Sequence, residues 1–342
     1  MGVIMKENSI ILDLINKNAS VDEITSITGL THRQLFYRIN MLKIKGYDFK
    51  KKYYYTGDIC YNLINRVNEE NNIGKTILTS KGKNTFKTML ISDLHLGNRN
   101  ARPDLLNAVY EKCIKEDIHI IINAGDLIDG PKDCGRYNDK KIVDVEKQIE
   151  YLLKKYPFDK NILNFICLGN HDYACLKESG LDLEKIFDNK RHDLISLGYG
   201  YGFLNIKNDQ IVVSHPTEIK KIDSINKKLI ITGHSHRYKN IVSNSNTLVY
   251  LPSLSDMKST DVKGEHHQFP SVIIATFDFT NGIIVTGIFE HFIFVNEQLY
   301  KVSESQYDLS MGKNVNLDYI NNIEVINPLK KDEIKQILLK NK

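Results

Sequence analysis

Five short apolar runs in the chain each end directly in a polar cluster that contains aspartate, asparagine or histidine. In chain order the clusters are Asp93-Leu94-His95, Gly125-Asp126-Leu127-Ile128-Asp129, Gly169-Asn170-His171-Asp172, Ser214-His215-Pro216 and Gly233-His234-Ser235-His236. Between the earlier runs, apolar residues recur at helical spacing over residues 103–116, 140–155 and 176–187. Strands that alternate with helices predict an α/β fold with a largely parallel sheet. The clusters should then lie together at the carboxyl edge of that sheet, where α/β proteins place their sites.

The last part of the chain has strand-like runs without intervening helices, which predicts a second, more antiparallel sheet. These runs lie at residues 248–251, 271–277 and 283–289. The residues after Glu297 are polar, and residues 331–340 show a lysine-rich amphipathic pattern that is typical of a solvated helix. We therefore predict a two-sheet α/β domain over residues 86–296, followed by a C-terminal tail with a basic helix over residues 297–342.

The first quarter of the chain predicts short helices followed by a β-hairpin. Two capping boxes, Ser20 with Glu23 and Thr31 with Gln34, open the second and third helices. A hairpin is predicted over residues 50–63, where strand-like segments flank a glycine-containing turn. Helices and a hairpin in this order resemble a winged helix-turn-helix domain. We assign this small domain to residues 1–64.

Residues 65–85 are polar and rich in asparagine and lysine, so we interpret them as a linker, although residues 76–79 could form an extra strand. Residues 1–85 hold 13 lysines and arginines against 8 acidic residues, whereas the remaining residues hold 33 against 34. This asymmetry favours a polyanionic partner, DNA above all, for the N-terminal domain. The candidate DNA contacts are His32, Arg33, Gln34, Tyr37, Arg38, Lys50, Lys51 and Lys52. Protein contacts remain the alternative, because helix-turn-helix folds also bind proteins.

The residue types of the five clusters favour a site for divalent metal ions, because carboxylates, imidazoles and amide oxygens are hard-to-borderline ligands. The five cysteines are scattered and never paired as C-x-x-C, which disfavours a structural zinc site or a disulfide framework. Two neighbouring cations need a bridging ligand, and Asp126 is the best-placed carboxylate. Asp-x-His and His-x-His alternate along an extended chain, so the strand ends must bend. We expect Gly97 and Gly233 to permit these bends.

Taken in order, the five motifs resemble those of the calcineurin-like metallophosphoesterase superfamily over about residues 86–290. The resemblance implies a two-sheet αββα metallophosphoesterase sandwich. It also implies an enzyme that uses two divalent metal ions, Mn²⁺ first and Fe²⁺ or Zn²⁺ as alternatives. The implied ligands are Asp93, His95 and His236 for one metal, Asn170, His215 and His234 for the other, and Asp126 between them.

The same resemblance implies hydrolysis by a hydroxide held between the two metals, with His171 protonating the leaving oxygen and Asp129 orienting His171. Subfamilies of the phosphoprotein phosphatase type carry arginine after the counterpart of Asp129. Here that residue is Gly130, which disfavours phosphoserine and phosphothreonine substrates. The candidate substrate contacts beside the motifs are Arg99, Arg102, Tyr173 and Arg237. Asp172 has two interpretations, a functional role or a cap of the following helix.

The leading interpretation is a dinuclear phosphoesterase that hydrolyses phosphodiesters in DNA or nucleotides and is targeted by its N-terminal domain. One alternative is a phosphomonoesterase or protein phosphatase whose N-terminal domain binds proteins. Another is a DNA-binding regulator with a non-catalytic metal domain, which Asp129 and His171 disfavour because neither would be a ligand. The chain has no apolar run of membrane-spanning length and no secretory-signal pattern at its N-terminus. We therefore expect a cytoplasmic protein without a membrane partner.

Overall fold

The computed structural model describes most of the chain outside its C-terminal segment. The described residues are 2–44, 47, 49–54, 56–63, 74–78, 84–131, 140–216, 229–242, 246–256, 259–261, 264–266, 269–296 and 298–310. The basic helix expected at residues 331–340 lies outside them. Among the described helices, none is long and apolar enough to cross a bilayer.

Helices and strands alternate in the middle of the chain, as the sequence predicts. The described helices, α1 to α7, are Gly2–Asn16, Val21–Thr28, His32–Ile44, Pro103–Lys115, Val145–Lys155, Asn170–Ser179 and Leu183–Lys190. The described strands, β1 to β17, are Phe49–Tyr54, Ile59–Leu63, Lys75–Leu78, Thr85–Ile91, Ile120–Asn123, Leu163–Leu168, Leu194–Tyr199, Tyr201–Ile206, Asp209–Ser214, Leu229–Thr232, Lys239–Val242, Thr247–Tyr250, Ser259–Asp261, Gly264–His266, Ser271–Thr280, Ile283–Val295 and Gln298–Asp308.

A seven-stranded sheet has a parallel and an antiparallel half, in the order β17-β16-β15-β4-β5-β6-β7. Strands β4 to β7 pair in parallel, whereas β15 to β17 pair antiparallel. Strand β17 extends over residues 298–308, so the prediction of a tail that begins at residue 297 is wrong for this segment. Its sequence is polar because most of its side chains are only half-buried at the edge of the sheet.

An eight-stranded sheet has the order β11-β12-β10-β9-β8-β3-β1-β2. Strand β3 pairs in parallel with β8 on one side and with β1 on the other. The N-terminal hairpin β1–β2 is therefore the edge of a sheet of the main domain. The interpretation of residues 65–85 as a linker is wrong for residues 75–78, and the alternative of an extra strand is confirmed.

The two sheets share a buried apolar core. Leu90, Ile122 and Phe165 from the seven-stranded sheet belong to the same cluster as Val213 and Ile231 from the eight-stranded sheet. The result is a mixed α/β fold with two sheets, consistent with the expected sandwich.

The N-terminal hairpin contributes to this core through Tyr53. The Tyr53 side chain is 2% exposed, and its ring meets that of Phe165 edge-on with centroids 5.1 Å apart. Helices α1 to α3 pack on the hairpin around a separate apolar cluster that includes Ile11, Leu35 and Tyr61. Both capping boxes are confirmed: Ser20 and Glu23 bond reciprocally, and so do Thr31 and Gln34. The N-terminal segment is thus packed into the sandwich.

Tyr53→Ala is expected to destabilise the whole sandwich by about 3 kcal/mol, because truncating a buried aromatic side chain leaves a cavity. Chemical denaturation followed by circular dichroism should show the main transition at a lower denaturant concentration. Tyr37→Ala is the matched control, since Tyr37 is 63% exposed. It should change the stability by less than about 0.5 kcal/mol. A Tyr53 variant whose main transition is unchanged would contradict the shared core.

Candidate metal centre

The polar clusters meet at one edge of the sandwich. Asp93 and Asp126 come shortly after the parallel strands β4 and β5, and Asn170 follows β6. His215 and His234 follow β9 and β10, which pair in parallel in the other sheet. The carboxyl ends of strands supply the donors, as the sequence predicts, but these strands belong to two sheets and not to the single sheet expected.

The backbone turns sharply at the predicted ligands themselves. Positive φ angles of 55°, 46°, 52°, 73° and 57° occur at Asp93, His95, Asp126, His234 and His236. This left-handed conformation costs about 1–2 kcal/mol per residue and is concentrated at functional sites. Gly97 has a φ of 108°, whereas Gly233 is not among the glycines with a positive φ. Gly233 provides space, because a Cβ there would lie 2.2 Å from Ser92 Oγ.

The first donor group consists of Asp93, His95 and His236. His236 Nε2 lies 3.2 Å from Asp93 Oδ1 and 3.2 Å from His95 Nε2. His95 Nε2 lies 3.8 Å from Asp93 Oδ1. One donor atom from each residue lies within 4.8 Å of the other two, so a single cation could contact all three.

The second donor group consists of Asp126, His215 and His234, within the same 4.8 Å limit. His215 Nε2 lies 3.0 Å from Asp126 Oδ2, while His215 Nδ1 contacts the carbonyl oxygen of Ala124. Asp126 Oδ2 also lies 3.9 Å from His95 Nε2 of the first group. The Asp126 carboxylate therefore stands between the two groups.

Asn170 adds an amide oxygen to this cluster. Its Oδ1 is buried and accepts no hydrogen bond from a described residue, although buried polar atoms are normally bonded. The next residue, His171, donates its main-chain N–H to Asp126 Oδ1 at 2.9 Å, which places Asn170 beside the Asp126 carboxylate. An unsatisfied amide oxygen at this position fits a metal ligand.

The carboxylates and imidazoles stabilise each other's charged forms. Burial lowers the pKa of His215, but the Asp126 and Asp93 carboxylates outweigh it and raise this pKa to about 10. Burial raises the pKa of Asp126, but the neighbouring imidazoles, His215 first, bring it below its ordinary value. Asp126 is therefore ionised at neutral pH, as a metal-binding carboxylate must be.

The segment that carries these donors matches a known family. The family model for calcineurin-like phosphoesterase covers residues 86–240. This segment is a calcineurin-like phosphoesterase domain. The domain and its donor groups make the protein a metal-dependent phosphoesterase, a hydrolase of phosphate ester bonds. The match confirms the resemblance inferred from the motifs for residues 86–240, which contain all five motifs, and does not extend to residues 241–290.

Solved structures resemble the chain only distantly. Vps29 from Entamoeba histolytica, complexed with Zn²⁺, is 13% identical, with a TM-score of 0.39 over 65% of this chain and 99% of that chain. The phosphoesterase YfcE from E. coli is 14% identical, with a TM-score of 0.39 over 65% and 99% of the two chains. An archaeal phosphodiesterase is 13% identical, with a TM-score of 0.38 over 61% and 99%. Similarities this distant do not specify a function. No curated protein matches the chain significantly.

His171 and Asp129 of the phosphoesterase domain lie beside the donor groups. His171 Nε2 is 3.9 Å from Asp126 Oδ2, and His171 Nδ1 is 2.8 Å from the main-chain carbonyl oxygen of Asp129. Because a carbonyl oxygen can only accept, Nδ1 carries the proton of this bond. Asp129 thus contacts His171 through its main-chain carbonyl oxygen, while its carboxylate is hydrogen-bonded to other residues.

The Asp129 carboxylate is bound by two residues that sequence reasoning missed. Lys140 Nζ lies 2.8 Å from Oδ2, and Asn98 Nδ2 lies 3.1 Å from Oδ1. Asn98 follows His95 by three residues, so its closeness to a motif was a usable signal. Nothing in the sequence distinguishes Lys140 from its neighbour Lys141, since both lie in the stretch 140–155 that the sequence predicts to be helical, whereas helix α5 begins only at Val145.

Asp172 caps helix α6, which confirms one of its two interpretations. Its buried carboxylate accepts the main-chain N–H of Gly169 at 2.8 Å, of Leu127 at 3.0 Å and of Ile128 at 3.2 Å. Burial, followed by the nearby charge of Asp126, raises the pKa of Asp172 to about 6. The carboxylate therefore ties α6 to the loop that carries Asp126.

The candidate substrate contacts differ in their availability. The side chains of Arg99 and Tyr173 are exposed, whereas those of Arg102 and Arg237 are half-buried. Arg102 forms ion pairs with Asp104 at 2.7 Å and with Asp256 at 3.1 Å, so its guanidinium is already engaged. Arg99 and Tyr173 are thus the more accessible of the four.

The candidate DNA contacts also fall into two sets. His32 Nε2 pairs with Asp22 at 2.7 Å, and Gln34 Oε1 accepts the Thr31 N–H at 2.8 Å, so these two side chains are used within the N-terminal segment. The others are the exposed Arg33 and Tyr37 and the half-buried Arg38, Lys50, Lys51 and Lys52. The exposed side chains of α3 are the more accessible set.

Proposed function

We propose that the protein is a dinuclear phosphoesterase that hydrolyses phosphodiester bonds in DNA or nucleotides. The observation that carries the proposal is the position of Asp126, whose Oδ2 lies 3.0 Å from His215 Nε2 and 3.9 Å from His95 Nε2. A carboxylate in that position can serve both donor groups at once.

The proposed ligands are those of the two donor groups together with Asn170. Asp93, His95 and His236 would hold one cation, Asn170, His215 and His234 the other, and Asp126 would contact both. Two divalent cations neutralise charge on phosphoryl oxygens and make hydroxide available near neutral pH. Mn²⁺ suits this set of nitrogen and oxygen donors, as do Fe²⁺ and Zn²⁺.

His171 is the proposed proton donor. Its Nδ1–H is bonded to the Asp129 carbonyl oxygen, which turns Nε2 towards Asp126. When the bond between phosphorus and the leaving oxygen breaks, the doubly protonated ring gives its Nε2 proton to that oxygen. The neutral Nδ1–H form remains. General acid assistance of this kind is worth about 10²–10⁴-fold.

The N-terminal segment is the proposed nucleic-acid module, a winged helix-turn-helix in which α3 would contact DNA. Support comes from the order of three helices and a hairpin, from the basic excess of residues 1–85 and from the exposed Arg33 and Tyr37 on α3. Because the hairpin lies in the sandwich, bound DNA would be held at a defined distance from the donors.

A substrate panel tests the proposed activity. Purified protein reconstituted with Mn²⁺ should hydrolyse bis-p-nitrophenyl phosphate faster than p-nitrophenyl phosphate, and should also act on linear DNA or nucleotides. A clear preference for the monoester would favour a phosphomonoesterase instead. No turnover of any phosphoester with Mn²⁺, Fe²⁺ or Zn²⁺ would end the proposal.

The double substitution of Arg33 and Arg38 by alanine is expected to weaken DNA binding without changing hydrolysis of bis-p-nitrophenyl phosphate. If both guanidiniums contact phosphates, the slope of log affinity against log salt should fall in magnitude by about two. Fluorescence anisotropy over a salt series measures both quantities. The double substitution of Lys154 and Lys155 by alanine, at exposed positions of α5, removes the same number of charges and should leave the slope unchanged. An unaltered slope in the double variant of Arg33 and Arg38 would show that this face of α3 is not the surface that contacts DNA.

A further inference from the structure

Lys140 is a fully buried cation beside the proposed proton donor, with 0% side-chain exposure. Its Nζ lies 2.8 Å from Asp129 Oδ2, 3.1 Å from the Asp129 carbonyl oxygen and 3.2 Å from the Gly130 carbonyl oxygen. An ammonium has three protons, so each has an acceptor. Because a buried ion pair adds little net stability, its position calls for a functional explanation.

The Asp129 carbonyl oxygen connects Lys140 to His171. It accepts the His171 Nδ1–H at 2.8 Å and the Lys140 ammonium at 3.1 Å. Among the described residues, this is the one hydrogen bond to the His171 ring. The direction of the carbonyl therefore determines which ring nitrogen carries the proton and where the other nitrogen points.

We propose that Lys140 is a positioning residue for His171, holding the Asp129 carbonyl oxygen so that the imidazole keeps its Nδ1–H bond to that oxygen and directs the proton on Nε2 at the leaving oxygen. The inference rests on the proposed role of His171 as proton donor. Asn98 assists by occupying the other carboxylate oxygen of Asp129, so the residue is held through both its side chain and its main chain.

Gln148 also holds the backbone next to Asp129, at Gly130, so we expect the loss of Lys140 to have only a local effect. Gln148 Oε1 accepts the Gly130 N–H at 2.9 Å, and Gln148 Nε2 donates to the carbonyl oxygens of Gly130 at 2.9 Å and Ile142 at 2.8 Å. Removing the ammonium should therefore free the Asp129 carbonyl while Gly130 stays in place.

Lys140→Met, which keeps the length of the side chain without its charge, should lose more activity on poor leaving groups than on good ones. On a dinucleotide, whose sugar alkoxide needs protonation, kcat should fall about 10–100-fold, part of the full value of general acid catalysis. On the p-nitrophenyl ester of a nucleotide the loss should stay below about threefold, because that leaving group needs little protonation. An equal loss on both substrates at unchanged metal content would overturn the proposal.

Two comparisons separate positioning from simple damage to the fold. Asn164→Leu removes a buried amide that bonds to Tyr110 and Tyr156, away from Asp129. It should lower the stability without changing the ratio between the two substrates. In a His171→Gln background, Lys140→Met should cause no further loss on the dinucleotide, since the two residues act through one another. Losses that multiply would show that Lys140 acts independently of His171.

The form of the His171 ring provides a readout that needs no activity. In metal-free protein labelled with ¹⁵N-histidine, at a pH where the ring is neutral, His171 should show the Nδ1–H pattern, and Lys140→Met should convert it to a mixture. His171→Gln assigns the signal. A wild-type ring protonated on Nε2 would overturn the proposal even if the Lys140 variant failed to fold. Absence of phosphoesterase activity would instead end the proposed function and leave this measurement intact.

Discussion

Asp126→Asn is expected to abolish phosphoester hydrolysis while the protein stays folded. The amide keeps an oxygen for the His171 main-chain N–H, now 2.9 Å from Asp126 Oδ1, so the local backbone contact can persist. The substitution removes the charge that lies between the two donor groups. Metal ions at such centres stabilise several kcal/mol of developing charge, and a loss of about 4 kcal/mol corresponds to about 10³-fold in rate. Elemental analysis measures the metal content of the variant, and kcat on bis-p-nitrophenyl phosphate measures its hydrolytic activity.

Asp117→Asn is the control for this substitution. Its carboxylate is 81% exposed and pairs with His119 at the surface, so metal content and kcat should match the unsubstituted protein. Circular dichroism should show that both variants are folded. If Asp126→Asn kept two metals and most of its activity, Asp126 would not be the shared ligand.

Much of the fold follows from local patterns in the sequence. Strand β5 is fully buried and runs directly into Asp126, so an apolar run followed by a polar cluster was sufficient to locate the sheet and its functional edge. The segments whose first interpretation was wrong, the linker and the C-terminal tail, lack this contrast between an apolar run and a polar cluster. Strand β3 has only four residues, and β17 is a half-buried edge strand, so neither shows a clear apolar pattern. Both become strands through pairing with partners that are distant in the chain.

The candidate site also has one part that the sequence predicts and another that it does not. Its polar clusters could be located because each follows a strand, and parallel strands bring their carboxyl ends together. The choice of ligands within the clusters came from the resemblance to the metallophosphoesterase superfamily. The surroundings of His171 could not, since they depend on how loops pack. Lys140 reaches Asp129 only because the chain around residues 140–142 folds back, with Lys141 N–H bonded to the Gly97 carbonyl oxygen at 2.8 Å. No sequence pattern reports such a contact.

Gly169→Ala is expected to disrupt the metal centre by adding a single methyl group. Gly169 lies between β6 and α6, where a Cβ would lie 2.2 Å from Asp126 Oδ1 and 2.6 Å from Asp126 N. Its φ of −86° suits any residue, so alanine meets no torsional strain and the effect is purely steric. Since the Asp126 carboxylate must move, Mn²⁺ affinity should fall by at least about 10–100-fold. Titration calorimetry with metal-free protein measures this change.

Gly180→Ala, at the other end of the same helix, is the control. It distinguishes a glycine needed for close packing, at position 169, from one needed for a left-handed backbone, at position 180. Gly180 has a φ of 69°, and a Cβ there would meet nothing within 4 Å. Alanine should therefore cost about 1 kcal/mol of stability through its left-handed backbone, with Mn²⁺ affinity and kcat unchanged. If Gly169→Ala bound Mn²⁺ as tightly as Gly180→Ala, the close approach of α6 to Asp126 would not shape the donor cluster. The opposite result would show that the centre depends on the space left by one missing side chain.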